Sequence, residues 1–96
     1  DANAADSDGW NPLYYAAYFD QLDIMRLLLE AGADPNVTET RIGETPLMKA
    51  VSKGEGAMVR MLLSHGADPN VAETKRGETP LIMAVLMGKE AVVQML

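Results

Sequence analysis

The chain of 96 residues repeats itself at a fixed interval. Gly9, Gly43 and Gly77 stand 34 residues apart, as do Pro12, Pro46 and Pro80. The run Ala33, Asp34, Pro35, Asn36 returns at the same spacing as Ala67, Asp68, Pro69, Asn70. A period in this range marks a stack of like units, not a single irregular globule. The distinction matters because an ordinary domain of this length is marginal in the surface it buries. Stacked units share one continuous core with their neighbours.

The most complete unit is 43–70, and the chain on either side reads as imperfect copies of it. Residues 1–8 read as the end of a preceding finger, 9–42 as a first repeat, 43–76 as a second and 77–96 as an incomplete third. All belong to a single domain, 1–96. The chain starts without methionine and begins and stops inside a repeat, so it reads as a piece of a longer protein.

Each unit carries two helix signatures. Asn11–Pro12, Thr45–Pro46 and Thr79–Pro80 place an N-cap residue before a proline at the first helical position. Leu13, Ala16, Ala17, then Leu47, Ala50, Val51, then Leu81, Ala84, Val85 follow at i, i+3, i+4, the apolar face of a short helix. Gly54 and Gly88 punctuate its end, with Asp20 at that place in the first copy. A second helix is expected over about 22–31, 57–65 and 91–96. Its apolar face is read as Ile24, Leu27, Leu28, then Met58, Met61, Leu62, then Val92, Met95, Leu96. Gly32 and Gly66 close it. Pro35 and Pro69 speak against a central strand beyond it, so a protruding loop with at most short hairpin pairing is expected.

These residues closely resemble the ankyrin repeat family. The resemblance rests on Gly43, Thr45, Pro46, Leu47, Ala50, Gly54, Val59, Leu62, Leu63, Gly66, Ala67, Asp68 and Asn70, and on their counterparts in the first copy. It covers essentially the whole chain. It implies an all-α ankyrin-repeat solenoid of stacked helix–turn–helix units with protruding loop or β-hairpin fingers. The family's usual histidine after Thr-Pro-Leu, which ties neighbouring loops together, is replaced by Tyr14, Met48 and Ile82. The interval exceeds the usual 33 by one. The extra residue falls before Gly43 and Gly77, which predicts longer second and third fingers than the one ending at Gly9.

Catalytic chemistry is hard to find. There is no cysteine and one histidine, His65, so neither a thiolate zinc site nor a Cys–His pair is available. His65 precedes Gly66 and suits a helix C-terminus. Ser7, Ser52 and Ser64 lack a nucleophile-elbow setting. The Gly54, Glu55, Gly56 run is too short for a phosphate loop. Glu39/Glu73 and Glu44/Glu78 recur because the repeat recurs, and do not count as an acid–base pair. The net charge of −6 disfavours nucleic acid, which selects a basic stripe. No apolar run approaches the length of a membrane span. No cofactor is expected.

What remains is surface. In ankyrin repeats, partners are held by finger tips and the exposed side of the first helix. By position, the resemblance implies Trp10, Tyr18 and Phe19 with Ser7 and Asp8 in the first copy. It implies Arg41, Ile42, Glu44, Ser52 and Lys53 in the second, and Lys75, Arg76, Glu78, Leu86 and Met87 in the third. Trp10, Tyr18, Phe19, Leu86 and Met87 are large apolar groups where the pattern carries solvated residues, and contiguous apolar surface suggests an interaction site. A competing reading packs Tyr14, Tyr15 and Tyr18 against a repeat before them, and Leu86 and Met87 against one after them. Asn36 and Asn70 resemble asparagines hydroxylated in some ankyrin repeats, although fixing the turn is the simpler role.

The expected function is a non-enzymatic protein–protein interaction module, cytoplasmic or nuclear. The alternatives are a structural or engineered scaffold without its own partner, and a regulatory segment of a larger enzyme or channel. With no polar cap at either end, end-to-end self-association is also expected.

Overall fold

The computed structural model describes residues 2–96. Among them are six helices and no strand: α1 Pro12–Tyr18, α2 Leu22–Glu30, α3 Pro46–Ser52, α4 Gly56–Ser64, α5 Pro80–Leu86 and α6 Glu90–Met95. The seven-residue first helices are too short to persist alone, so their ends must be held. Asn11 Oδ1 accepts from the Tyr14 N–H at 2.9 Å, and the Thr45 and Thr79 hydroxyls accept from Met48 N and Ile82 N at 3.2 Å. Pro12, Pro46 and Pro80 follow each cap, where a missing N–H costs nothing.

Each first helix ends in a left-handed residue, and the N–H beyond it returns to a carbonyl five back: Gln21 to Ala16, Glu55 to Ala50, Lys89 to Ala84. Gly54 and Gly88 supply the positive φ in two copies; Asp20 supplies it in the first, at φ 59°. Lys53, the C-cap residue of α3, covers that departure, with its ammonium 3.4 Å from the Asp20 carboxylate and donating to the Tyr18 carbonyl.

The helices pair within repeats (α1 with α2, α3 with α4, α5 with α6) and stack between them: α1, α3, α5 in one layer and α2, α4, α6 in the other. The small residues Ala16, Ala50 and Ala84, all buried, let the layers approach closely. Leu13, Ala17, Leu47, Val51, Met58, Val59 and Leu62 fill the space between. Each large one contributes about 1.5–3 kcal/mol by leaving water.

The second helix of the first repeat departs from expectation. Met25 and Leu29 are its buried residues, while Ile24 is 48% and Leu27 61% exposed. Both sides of this helix are apolar, and one of them is covered. The positions matching Ile24 and Leu27 are Met58 and Met61, which are covered where α2 lies beside α4. At α2 no described residue stands on that side.

The fingers are turns, each closed by two backbone bonds, one of them from Gly9, Gly43 or Gly77 back to Asp6, Glu39 or Glu73 O. Asp6 N–H donates to Trp10 O in the first; Glu39 to Glu44 O and Glu73 to Glu78 O in the next two. The later turns are thus one residue longer, as the interval required. Inside each sits a carboxylate. Glu39, 1% exposed, accepts from the backbone N–H groups of Arg41, Ile42 and Glu44; Glu73 does the same for Lys75, Arg76 and Glu78. In the shorter turn the shorter Asp6 accepts from Asp8 and Trp10. Adjacent fingers are tied by Thr40 Oγ1, which donates to Asp8 O at 2.8 Å, and by the Thr74 N–H donating to Ile42 O. Gly9 is required there, since a Cβ would lie 2.5 Å from Thr40 Cγ2.

Candidate functional site

The finger side of the stack carries two distinct patches. The first is aromatic and belongs to the first repeat. Trp10 packs edge-on against Tyr14 and Tyr15, with centroids 4.8 and 4.9 Å away, and tilts against Tyr18 at 5.1 Å. Phe19 stacks on Tyr15 and meets Tyr18 edge-on. Trp10 is therefore a half-buried centre of the cluster, not a freely presented side chain. Phe19, 57% exposed, is its outward face.

Tyr14 corrects one reading. It does not reach toward a repeat before it. It is buried, and its hydroxyl donates to Glu44 on the following repeat. Burial raises the Tyr14 pKa, and the bond to Glu44 raises it further. The link between loops that the substituted histidine put in doubt is thus made here by a tyrosine. Met48 and Ile82 have no group that could make it. Tyr15 donates instead to Asp6, a bond that raises the phenol pKa and lowers that of the carboxylate.

Glu44 is the second correction. Expected on the surface, it is 8% exposed, and its carboxylate is taken by Tyr14 and by Lys49 at 3.3 Å. Lys53 is exposed but already bound to the first repeat, and its ammonium also lies 5.4 Å from the Tyr18 ring centre, with Lys49 at 5.3 Å. These contacts couple the aromatic patch to α3.

The second patch is a groove between the second and third repeats. Glu44, Ser52, Arg76, Glu78, Met83, Leu86 and Met87 line one part of it. Ile42, Glu73 and Lys75 continue it between the fingers. It brings together Ile42, Ser52, Lys75, Arg76, Glu78, Leu86 and Met87 from the expected set, with Glu44 in its wall. Trp10, Tyr18 and Phe19 stay with the first patch, and Arg41 stands on the second finger outside the groove. Met83 is an addition; its helical position three before Leu86 could have flagged it.

Leu86 is 69% exposed, while Ser52 at the matching place is partly covered by the repeat after it. Met87 matches Lys53, which is exposed even with a repeat on each side, so its exposure is not an end effect.

The roles of Glu39 and Glu73 were missed because their recurrence was put down to the repeat alone. Burial acts to raise the Glu39 pKa, but the three backbone donors outweigh it and hold the carboxyl below its ordinary value. For Glu73 the Glu78 N–H is the leading cause of a lowered pKa. Asn36 is structural in this chain: its side chain donates to Gly66 O at 3.1 Å and accepts from Asp68 N. Asn3 accepts from Asp34 N in the same way. Asn70 has no following loop opposite it among the described residues. No cluster of metal-binding type occurs among these residues, and no helix is long and apolar enough to cross a membrane.

The chain belongs to the ankyrin repeat family. The family model described as ankyrin repeats (many copies) matches residues 13–63 and 56–96. A Caenorhabditis elegans protein, a transient receptor potential cation channel subfamily A member 1 homolog, is 49% identical over 45 residues, 47% of this chain and 4% of that protein. The ankyrin repeat-containing protein P1E11.10 of Schizosaccharomyces pombe is 40% identical over 45 residues, again 47% of this chain and 21% of that protein. The chain therefore matches only a small part of the length of either relative.

Proposed function

We propose that this chain is a non-enzymatic module that binds a partner protein along its finger tips and first-helix faces. The observation that carries the reading is the groove between the second and third repeats, where exposed apolar side chains lie beside charged finger residues. Contiguous exposed apolar surface rimmed by polar groups is how interaction sites look. Ankyrin repeats are generally interaction modules without catalysis, which agrees with the lack of a catalytic constellation in the sequence.

Selection of binders from a random peptide library, followed by amide-shift mapping on the 96-residue chain, tests this. Shifts should centre on Ser52, Arg76, Leu86 and Met87. Replacing Leu86 by Asp and Met87 by Ser should weaken binding by about tenfold or more. Shifts confined to α2, α4 and α6 would reject the surface. No enrichment at all would favour a scaffold without a partner.

A second reading has a specific observation behind it. The similarity to the C. elegans channel homolog favours a regulatory ankyrin segment of a larger channel. A complete coding sequence without pore-forming helices would end that reading. An intracellular location, cytoplasmic or nuclear, accompanies either reading and is checked by fluorescent tagging.

End-to-end association is also proposed. Leu81, Ile82 and Val85 at one end, and Ile24 and Leu27 at the other, are exposed apolar positions; their counterparts Leu47, Met48, Val51 and Met58 are buried inside the stack and Met61 is partly buried. Sedimentation velocity should show mass rising with concentration; a monomer throughout would reject it.

A further inference from the structure

We propose that the groove between the second and third repeats takes an extended peptide in which an aliphatic side chain is flanked by carboxylates. The inference rests on the interaction-module reading and adds the chemistry of the partner. It starts from an asymmetry of charge. The chain is acidic overall, at −6, yet Arg41, Lys75 and Arg76 stand exposed at the tips of its second and third fingers. Of the carboxylates of the same fingers, Glu39, Glu44 and Glu73 are turned inward, and Glu78, half-buried, lines the groove. Glu39 and Glu73 are 1% and 5% exposed, and each is occupied by three backbone N–H groups. Glu44 is held by Tyr14 and Lys49.

A ligand arriving at the fingers therefore meets cationic donors first. Lys75 and Arg76 form no ion pair among the described residues. A guanidinium fork matches a carboxylate with two parallel hydrogen bonds. Between the fingers and α5 the floor is apolar, made by Met83, Leu86 and Met87. Methionine side chains reshape readily around an aliphatic group. Specificity also works by exclusion. The first repeat presents Asp6 and Asp8 on its exposed surface, neither in an ion pair with a described residue, so an acidic segment is repelled there and steered to the groove.

The test uses three fluorescein-labelled peptides with a central leucine. Each side carries two glutamates, two glutamines or two lysines. Anisotropy titrations with the full chain should show the glutamate peptide binding about tenfold more tightly than the lysine peptide at low salt, with the gap closing at high salt. The double variant Lys75→Glu, Arg76→Glu should reverse the order, and Lys75→Gln, Arg76→Gln should level it. Leu86→Asp should weaken the glutamate peptide. All these side chains are exposed, and far-ultraviolet circular dichroism confirms that each variant is folded.

Equal or tighter binding of the lysine or glutamine peptide overturns the acidic preference. If that binding still falls in Leu86→Asp, the groove stands as an interaction surface with other chemistry. Binding of none of the three overturns the proposal, and the library selection then decides the wider reading separately.

Discussion

Helices α3 and α5 make the most instructive pair in the molecule. Both open with a threonine cap and a proline, and both carry Leu, Ala and Val at matching places. In α3, Leu47 and Val51 are fully buried. In α5, Leu81 is 43% and Val85 61% exposed. Of the Leu, Ala and Val positions only the alanines, Ala50 and Ala84, are buried in both helices. The same letters at the same register thus carry different energies. What a side chain contributes is decided by whether a second repeat closes over it.

The sharpest way to break this comparison is one substitution made twice. Leu47→Ala should cost about 3 kcal/mol, within the range for a buried leucine. Leu81→Ala should cost about 1 kcal/mol or less, since much of its surface is wet already. Urea denaturation measures both. Equal losses would show that the open end is covered in solution, which is what end-to-end stacking predicts at high concentration.

A smaller effect separates the two long fingers. Glu39→Ala leaves three loop amides without their acceptor and should cost about 2 kcal/mol. Glu73→Ala should cost less, because its finger is covered on one side only. The lowered pKa of Glu39 also sets a sign with pH. The folded carboxyl lies below its unfolded value, so its contribution is full above about pH 5 and is lost as pH falls through the folded value. The urea midpoint should therefore drop on acidification, and Glu39→Gln should flatten that drop.

The smallest effect concerns the caps. Asn11, Thr45 and Thr79 make the same bond, but the Asn11 Nδ2 group is buried without a partner. Asn11→Thr keeps the cap and removes the orphan donor, and should raise stability by about 1 kcal/mol. A lower thermal midpoint would show that the amide finds an acceptor in solution.

Much of the fold could be read directly from the chain. Caps, prolines and left-handed positions are local chemistry, and they fall at the same interval three times. The side that α2 buries could not be read, because Ile24 and Met25 are both apolar and periodicity alone does not say which neighbour exists. The site was readable only in part. Position within the repeat pointed to Leu86, Met87, Lys75 and Arg76. It also pointed to Glu44, whose burial depends on Tyr14, 30 residues earlier, having a hydroxyl long enough to reach it. No window along the sequence contains that pair. Glu39 and Glu73 had a usable signal in hindsight: an acidic residue recurring just inside a turn with several free backbone donors.

The inward carboxylates have a consequence for how such a surface changes over time. Each long finger takes its shape from a single buried side chain binding main-chain atoms, and main-chain atoms are the same whatever residue carries them. The tips are thus relieved of any part in building the turn. Arg41 and Ile42 occupy one tip, Lys75 and Arg76 the next, on the same hydrogen-bonded frame. New recognition chemistry can be written at those positions by point mutation without relearning how to fold.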